Sequence, residues 1–255
     1  MSKIITMLAA LSLCVAAKAQ TSEQRNLAVF NGLEIRDGIT VIFTQDKTNS
    51  LTAFAGDPTE LKDIVTEVHG NILHIYRKSN NRSPVRVSVK ANGITSVKAS
   101  GHSMIRITNT LLANEFFTEL SSGSVFSGDI KAYTARIIAQ SRSVCIGVLD
   151  VKTLFSDFSR GSYSLLQGTA DKAMITANGE SNCHNQGLVI KKAIIDASGN
   201  SFVQANVSDV LDIALDDNSH VNYYGEARTS SHSKNIRKME SYVVNGENLK
   251  NPLNN

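Results

Sequence analysis

Asp129, Asp150 and Asp171 are three carboxylates that recur about twenty residues apart. Two carboxylates at ~5–9 Å would support glycoside hydrolysis. A cluster of them beside a Lys or Arg base would suit a cation-assisted lyase. Their register drifts, however. They stand five, seven and nine residues after Ser124, Ser143 and Ser162. The plain reading is solvated loop charge. His69, His74, His102, His184, His220 and His232 are scattered, with no metal-ligand spacing. HExxH, GxSxG and Walker-type loops are absent. No CxxC pair suggests zinc, so neither a metal nor another cofactor is expected. Arg136, Arg142 and Arg160 read as surface charge or a shallow basic patch. Phe116, Phe117, Phe126, Phe155, Phe158 and Tyr163 fall mostly at strand positions near the core and read as packing.

The remaining chemistry-bearing residues are serines, and they form a series. Ser103, Ser124, Ser143, Ser162, Ser181, Ser201 and Ser219 follow one another at intervals of 21, 19, 19, 19, 20 and 18 residues. Each ends a short polar segment such as Ser100-Gly-His-Ser103, Ser121-Ser-Gly-Ser124 or Ser198-Gly-Asn-Ser201. A nucleophilic Ser needs a general base beside it in particular. Seven nearly equivalent serines read instead as a structural column.

Flanking positions keep the same register. Four residues before each Ser stand Ala99, Leu120, Ala139, Phe158, Ala177, Ala197 and Leu215. Two residues after stand Ile105, Phe126, Cys145, Ser164, Cys183, Val203 and Val221. Apolar residues at alternate positions on both sides of a small polar corner spell strand, turn, strand. A unit of ~19 residues cannot bury its own apolar face, but stacked copies can. The chain is therefore expected to be all-β, a right-handed parallel β-helix or β-solenoid of about seven coils. Coils spaced about 4.8 Å apart make a rod on the order of 30 Å long. Cys145 and Cys183 lie two coils apart, ~9–10 Å by that spacing, which is too far for a disulfide. Both should be free and face inward.

Residues 1–19 carry the pattern of a signal peptide: Lys3, an apolar run from Ile4 to Ala17, and the small-x-small site Ala17-Lys18-Ala19. Removal would leave 236 residues and lower the formal charge from +3 to +1. So small a charge gives no reason to expect a nucleic-acid partner. Residues 20–92 read as a β-rich N-terminal layer that caps the solenoid. Strands are expected at Phe30–Ile35, Ile39–Phe43, Leu51–Phe54, Ile72–Tyr76 and Val85–Val89. Asp57-Pro58-Thr-Glu60 should start one short helix running through Leu61 and Ile64. Residues 93–225 hold the repeats, and 20–225 form one continuous domain. Tyr223-Tyr224-Gly225 closes the last coil. Residues 226–255 read as a polar tail or a single edge strand.

This layout resembles the bacterial family called putative auto-transporter adhesin, head GIN domain. The resemblance is carried by Phe30-Asn-Gly-Leu-Glu-Ile35, Asp37-Gly-Ile-Thr-Val41 and Thr66–Ile75, by the Ser-Gly-small-Ser units, and by Val203–Ile213 through Tyr223-Tyr-Gly225. It covers roughly residues 26–225. It implies a secreted β-solenoid without an established activity.

The expected function is an exported, non-enzymatic, adhesin-like binding module in the periplasm, on the outer surface or secreted. Its partner is open between glycan, envelope component and protein, and a solenoid end offers an edge for self-association. Alternatives are a carbohydrate-active β-helix enzyme and a structural, oligomer-forming envelope module.

Overall fold

The computed structural model describes residues 21–216, 218–229, 231, 233–244 and 247–250, with 241–244 and 247–250 as backbone only. The expected signal peptide lies outside the described residues.

The chain starts with strands β1 (Thr21–Arg25), β2 (Gly32–Ile35), β3 (Thr40–Gln45) and β4 (Ser50–Ala55), then helix α1 (Pro58–Asp63). Next come β5 (Ile64–His69), β6 (Ile72–Arg77), β7 (Arg86–Ala91), β8 (Ser96–Ala99) and β9 (Met104–Ile107). Long strands follow: β10 (Leu111–Leu120), β11 (Val125–Gln140), β12 (Val144–Ser159), β13 (Tyr163–Ala177), β14 (Asn182–Ala197) and β15 (Phe202–Leu215). The chain ends with β16 (His220–Tyr224), β17 (Arg228–Thr229), β18 (Ile236–Lys238), β19 (Ser241–Val244) and β20 (Glu247–Lys250).

The architecture is a parallel β-solenoid. From β10 to β15 each long strand pairs in parallel with the next, one coil on. Each is bent, and its burial alternation breaks at the bend. In β11, Phe126, Ile130 and Ala132 face inward before the bend, and Ala135, Ile137 and Ala139 after it. One half belongs to a leading sheet, which follows the Ser corner. The other belongs to a trailing sheet, which precedes the next corner.

The corners are tight turns. Ser103, Ser124 and Ser219 each donate their backbone N–H to the carbonyl three residues earlier. Two consecutive residues at a corner have positive φ, such as Gly101 and His102, Arg160 and Gly161, or Gly199 and Asn200. Paired left-handed residues define a type I′ turn, which explains the Gly, Asn and Ser content. The Gly-free corner at Ser141 and Arg142 keeps the same conformation, at a cost of about 1–2 kcal/mol per residue.

Residues 20–92 hold more than a lid. β2 and β3 meet at the corner Asp37-Gly38 and stack in parallel on β8 and β9. Ile39 sits there at the level of the Ser column, and its carbonyl accepts from Met104 N–H at 3.0 Å. Beyond this rung lie β6 and β7, again in parallel. The rung order is therefore β6/β7, β2/β3, β8/β9, which is not chain order. The lid proper consists of antiparallel β1, β4 and β5 with α1. Helix α1 ends at Asp63, so Ile64 opens β5 instead of extending the helix. Asp57 caps α1 by accepting from Thr59 and Glu60 N–H at 2.8 and 2.9 Å. At the far end the polar segment is not loose throughout: β17 pairs with β15, and β18 with β16. Tyr223 and Tyr224 are buried beneath this last partial rung.

Candidate binding surface

The seven column serines are all fully buried. Apart from Ser103, whose hydroxyl has no partner among the described residues, their hydroxyls bond to the backbone or to one another. Ser124 Oγ donates to Ala99 O at 2.8 Å, Ser143 Oγ to Gln140 O at 2.7 Å and Ser181 Oγ to Asn178 O at 2.7 Å. Ser162 Oγ and Ser181 Oγ lie 3.3 Å apart. Ser201 Oγ accepts from Ser181 N, and Ser219 Oγ from Ser201 N. None has a general base beside it. This arrangement joins rungs and does not activate a nucleophile.

The carboxylates are not brought together for catalysis. Asp150 pairs with Lys131 at 2.7 Å, and Asp171 with Lys191 at 2.7 Å and Lys152 at 3.3 Å. These lysines hold both acids below the usual carboxylate range. Asp129 is exposed two residues before Lys131 of that ladder, opposite Val148. A shallow concavity of about 600 Å³ between Leu112, Tyr133 and Lys152 includes Asp150 as its one carboxylate. Among the described residues no group of His, Cys, Asp and Glu could hold a metal ion. His232 lies outside the described residues. Arg142 and Arg160 stack at adjacent corners, where Arg142 N–H donates to Arg160 O at 3.0 Å. Arg136 stands elsewhere, on the trailing face in line with Phe117 and Phe155.

Three aromatic expectations need correction. Phe116, Phe126 and Phe158 are core residues. Phe117, Phe155 and Tyr163 stand on outer faces, with Phe155 40 % exposed. Neighbouring strand residues point to opposite sides, so one step of register separates core from surface.

The outer side of the leading sheet carries few charges in its first two columns, and Asp129 and Lys131 follow them along β11. Its first column runs Met104, Val125, Val144, Tyr163, Asn182, Phe202, His220. Its second includes Arg106, Ser127, Ile146 and Leu165, and continues past His184 to Gln204 and Asn222. Met104, Ile146 and Val148 are 42 %, 37 % and 43 % exposed. Gly128 and Gly147 deepen the middle of this face into a depression of about 310 Å³. A Cβ on Gly147 would lie 2.2 Å from Gly128 O, so the backbones touch there.

The model of the family described as putative auto-transporter adhesin, head GIN domain, matches residues 29–227. The chain belongs to this family. A crystal structure of a putative adhesin from Parabacteroides merdae aligns with TM-score 0.78 at 14 % identity, over 86 % of this chain and 93 % of that one. A putative lipid binding protein from Parabacteroides distasonis aligns with TM-score 0.76 at 17 % identity, over 86 % and 96 %. A putative adhesin from Bacteroides fragilis gives 0.62 at 16 % identity, over 87 % and 94 %. Among curated proteins, none matches this chain. At such identities these likenesses show a shared fold. Among the described residues, no helix is long and apolar enough to cross a membrane.

Proposed function

We propose that this head GIN chain is an exported, non-enzymatic binding module whose contact surface is the outer side of the leading sheet. The observation that carries this reading is that face itself: seven stacked rungs, and exposed Met104, Ile146 and Val148 around a glycine-lined depression whose charged side chains are Arg106 and Asp129. Contiguous exposed apolar surface on a rigid scaffold marks a contact site. Family membership and the leader-like residues 1–19 support export to the envelope or beyond. The ion-paired Asp150 and Asp171 favour binding over acid–base catalysis.

The test is adhesion of beads coated with the protein to bacterial envelope fractions and host-cell surfaces. Ile146→Lys and Val148→Glu should abolish capture while leaving the melting temperature within a few degrees. Capture that survives both changes sinks the assignment of this face. Cleavage of a polysaccharide panel by the purified chain sinks the non-enzymatic reading. The relative described as lipid binding motivates one added arm: flotation with neutral phospholipid vesicles, which tests whether the apolar rungs take lipid.

A further inference from the structure

The leading face changes character along its length. The rungs of β9, β11 and β12 present Met104, Val125, Val144, Ile146 and Val148. The rungs of β14, β15 and β16 present something else. By strand alternation their outward positions are Asn182, His184 and Gln186, then Phe202 and Gln204, then His220 and Asn222, while Asn206 and Tyr224 are buried. These seven side chains are amides, imidazoles and one phenyl ring, and none is acidic, Lys or Arg. Tyr163 borders them on one side. Arg237 of β18, opposite Asn222, is the ionic side chain at the other border.

The grid is organised. His184 packs its ring between Tyr163 and Phe202, with centroids at 5.3 and 5.6 Å. Its Nδ1–H donates to Gln204 Oε1 at 2.6 Å, and Gln204 Nε2 donates to Tyr224 Oη at 3.4 Å. That chain fixes the imidazole and leaves Nε2 as an acceptor. The β14–β15 register shifts between Asn185 and Val189, and such irregularities re-aim side chains beside binding sites.

Beneath the grid, Gln186 Oε1 and both polar atoms of the fully buried Asn206 lack a hydrogen-bond partner among the described residues. Such buried amides are costly.

We propose that this patch binds a neutral saccharide. The proposal rests on the reading of the leading face as a contact surface and names its ligand class. Hydroxyls of a pyranose both donate and accept, which matches paired amide oxygens and nitrogens. The ring's C–H face packs on partly exposed aromatic carbon. The lack of ionic side chains disfavours phosphorylated or carboxylated ligands, which need charge-assisted partners. Specific sites combine aromatic walls with a few placed polar groups, as this one does.

The experiment is a backbone-amide NMR titration of the purified chain with neutral gluco-, manno-, xylo- and chito-oligosaccharides at millimolar concentration. Shifts confined to residues of β14–β16 in at least one titration are the expected result. His184→Ala and Asn222→Ala should each weaken that binding roughly tenfold, the loss of one well-made hydrogen bond. Arg136→Ala, on the trailing face, should leave it unchanged. The proposal is overturned if no saccharide shifts these amides, if the shifts map elsewhere, or if both variants bind as the parent does. If saccharides fail but bead capture is still lost in Ile146→Lys, the contact-surface reading stands without its sugar. If capture is also unaffected, both fall.

Discussion

Cys145 and Cys183 stand two rungs apart in one inward column, with Ser164 between them. Both thiols are free and buried. Burial pushes each up to about 12 from the ordinary 9.0. A thiol reagent should therefore leave both untouched in the native protein and label both in denaturant. Unreduced mass spectrometry showing a Cys145–Cys183 bond would refute this coil register.

The same thiols make stability pH-dependent at the alkaline end. Below pH 9 both folded and unfolded chains keep the protons. Between pH 9 and about 12 the unfolded chain releases them and the folded one does not. Stability should fall there by up to ~1.4 kcal/mol per pH unit per thiol. Denaturant titrations of Cys183→Ala across this range should show a shallower decline than the parent. An identical slope would mean that the thiol is not buried in this way.

The serine column predicts unequal costs. Ser181 Oγ bonds Asn178 O and lies against Ser162 Oγ. Ser181→Ala should cost about 1–2 kcal/mol in urea unfolding. Ser103 Oγ has no partner and follows Ile39 in the stack. Ser103→Ala should be neutral or stabilising. Equal losses at both sites would show that volume, not hydrogen bonding, sets the column.

Glycines differ in the same testable manner. A Cβ at Gly168 would lie 2.1 Å from Leu149 O, with φ at +103°. Gly168→Ala should cost ~3 kcal/mol or more, combining overpacking with backbone strain. Gly70→Ala, at φ +57° with open space around it, should cost ~1 kcal/mol. Thermal melts of the two variants order them.

Arg77 ties the lid to the solenoid. Its side chain is 1 % exposed and 3.7 Å from Asp63, which ends α1. Its guanidinium donates to the carbonyls of Asp37 and Ser83. Arg77→Ala would leave Asp63 and two carbonyls without this partner and should cost about 3–5 kcal/mol. Hydrogen exchange should then rise first in residues 57–69, ahead of the coils. Uniform loss of protection would instead make the lid and the coils one cooperative unit.

The repeat period, the corner serines, the inward columns and the free cysteines were legible in the sequence because each depends on neighbours within one coil. Alternation fixes which side a residue faces, and a type I′ corner demands Gly, Asn or a strained Ser and Arg. The order of the first rungs was not legible. β6/β7 and β2/β3 have similar strand patterning, so either could stack on β8/β9, and only long-range pairing decided. The outer faces of Phe117, Phe155 and Tyr163 turned on one step of register. The amide and aromatic grid needed still more. Asn182, Gln204 and Asn222 are about twenty residues apart in the chain and meet only through stacking, across a register shift that no local pattern announces. Sequence determined the coil, because its forces are local. Tertiary structure decided which coils touch and which side chains gather on one face, because those contacts are set by hydrogen bonds between rungs.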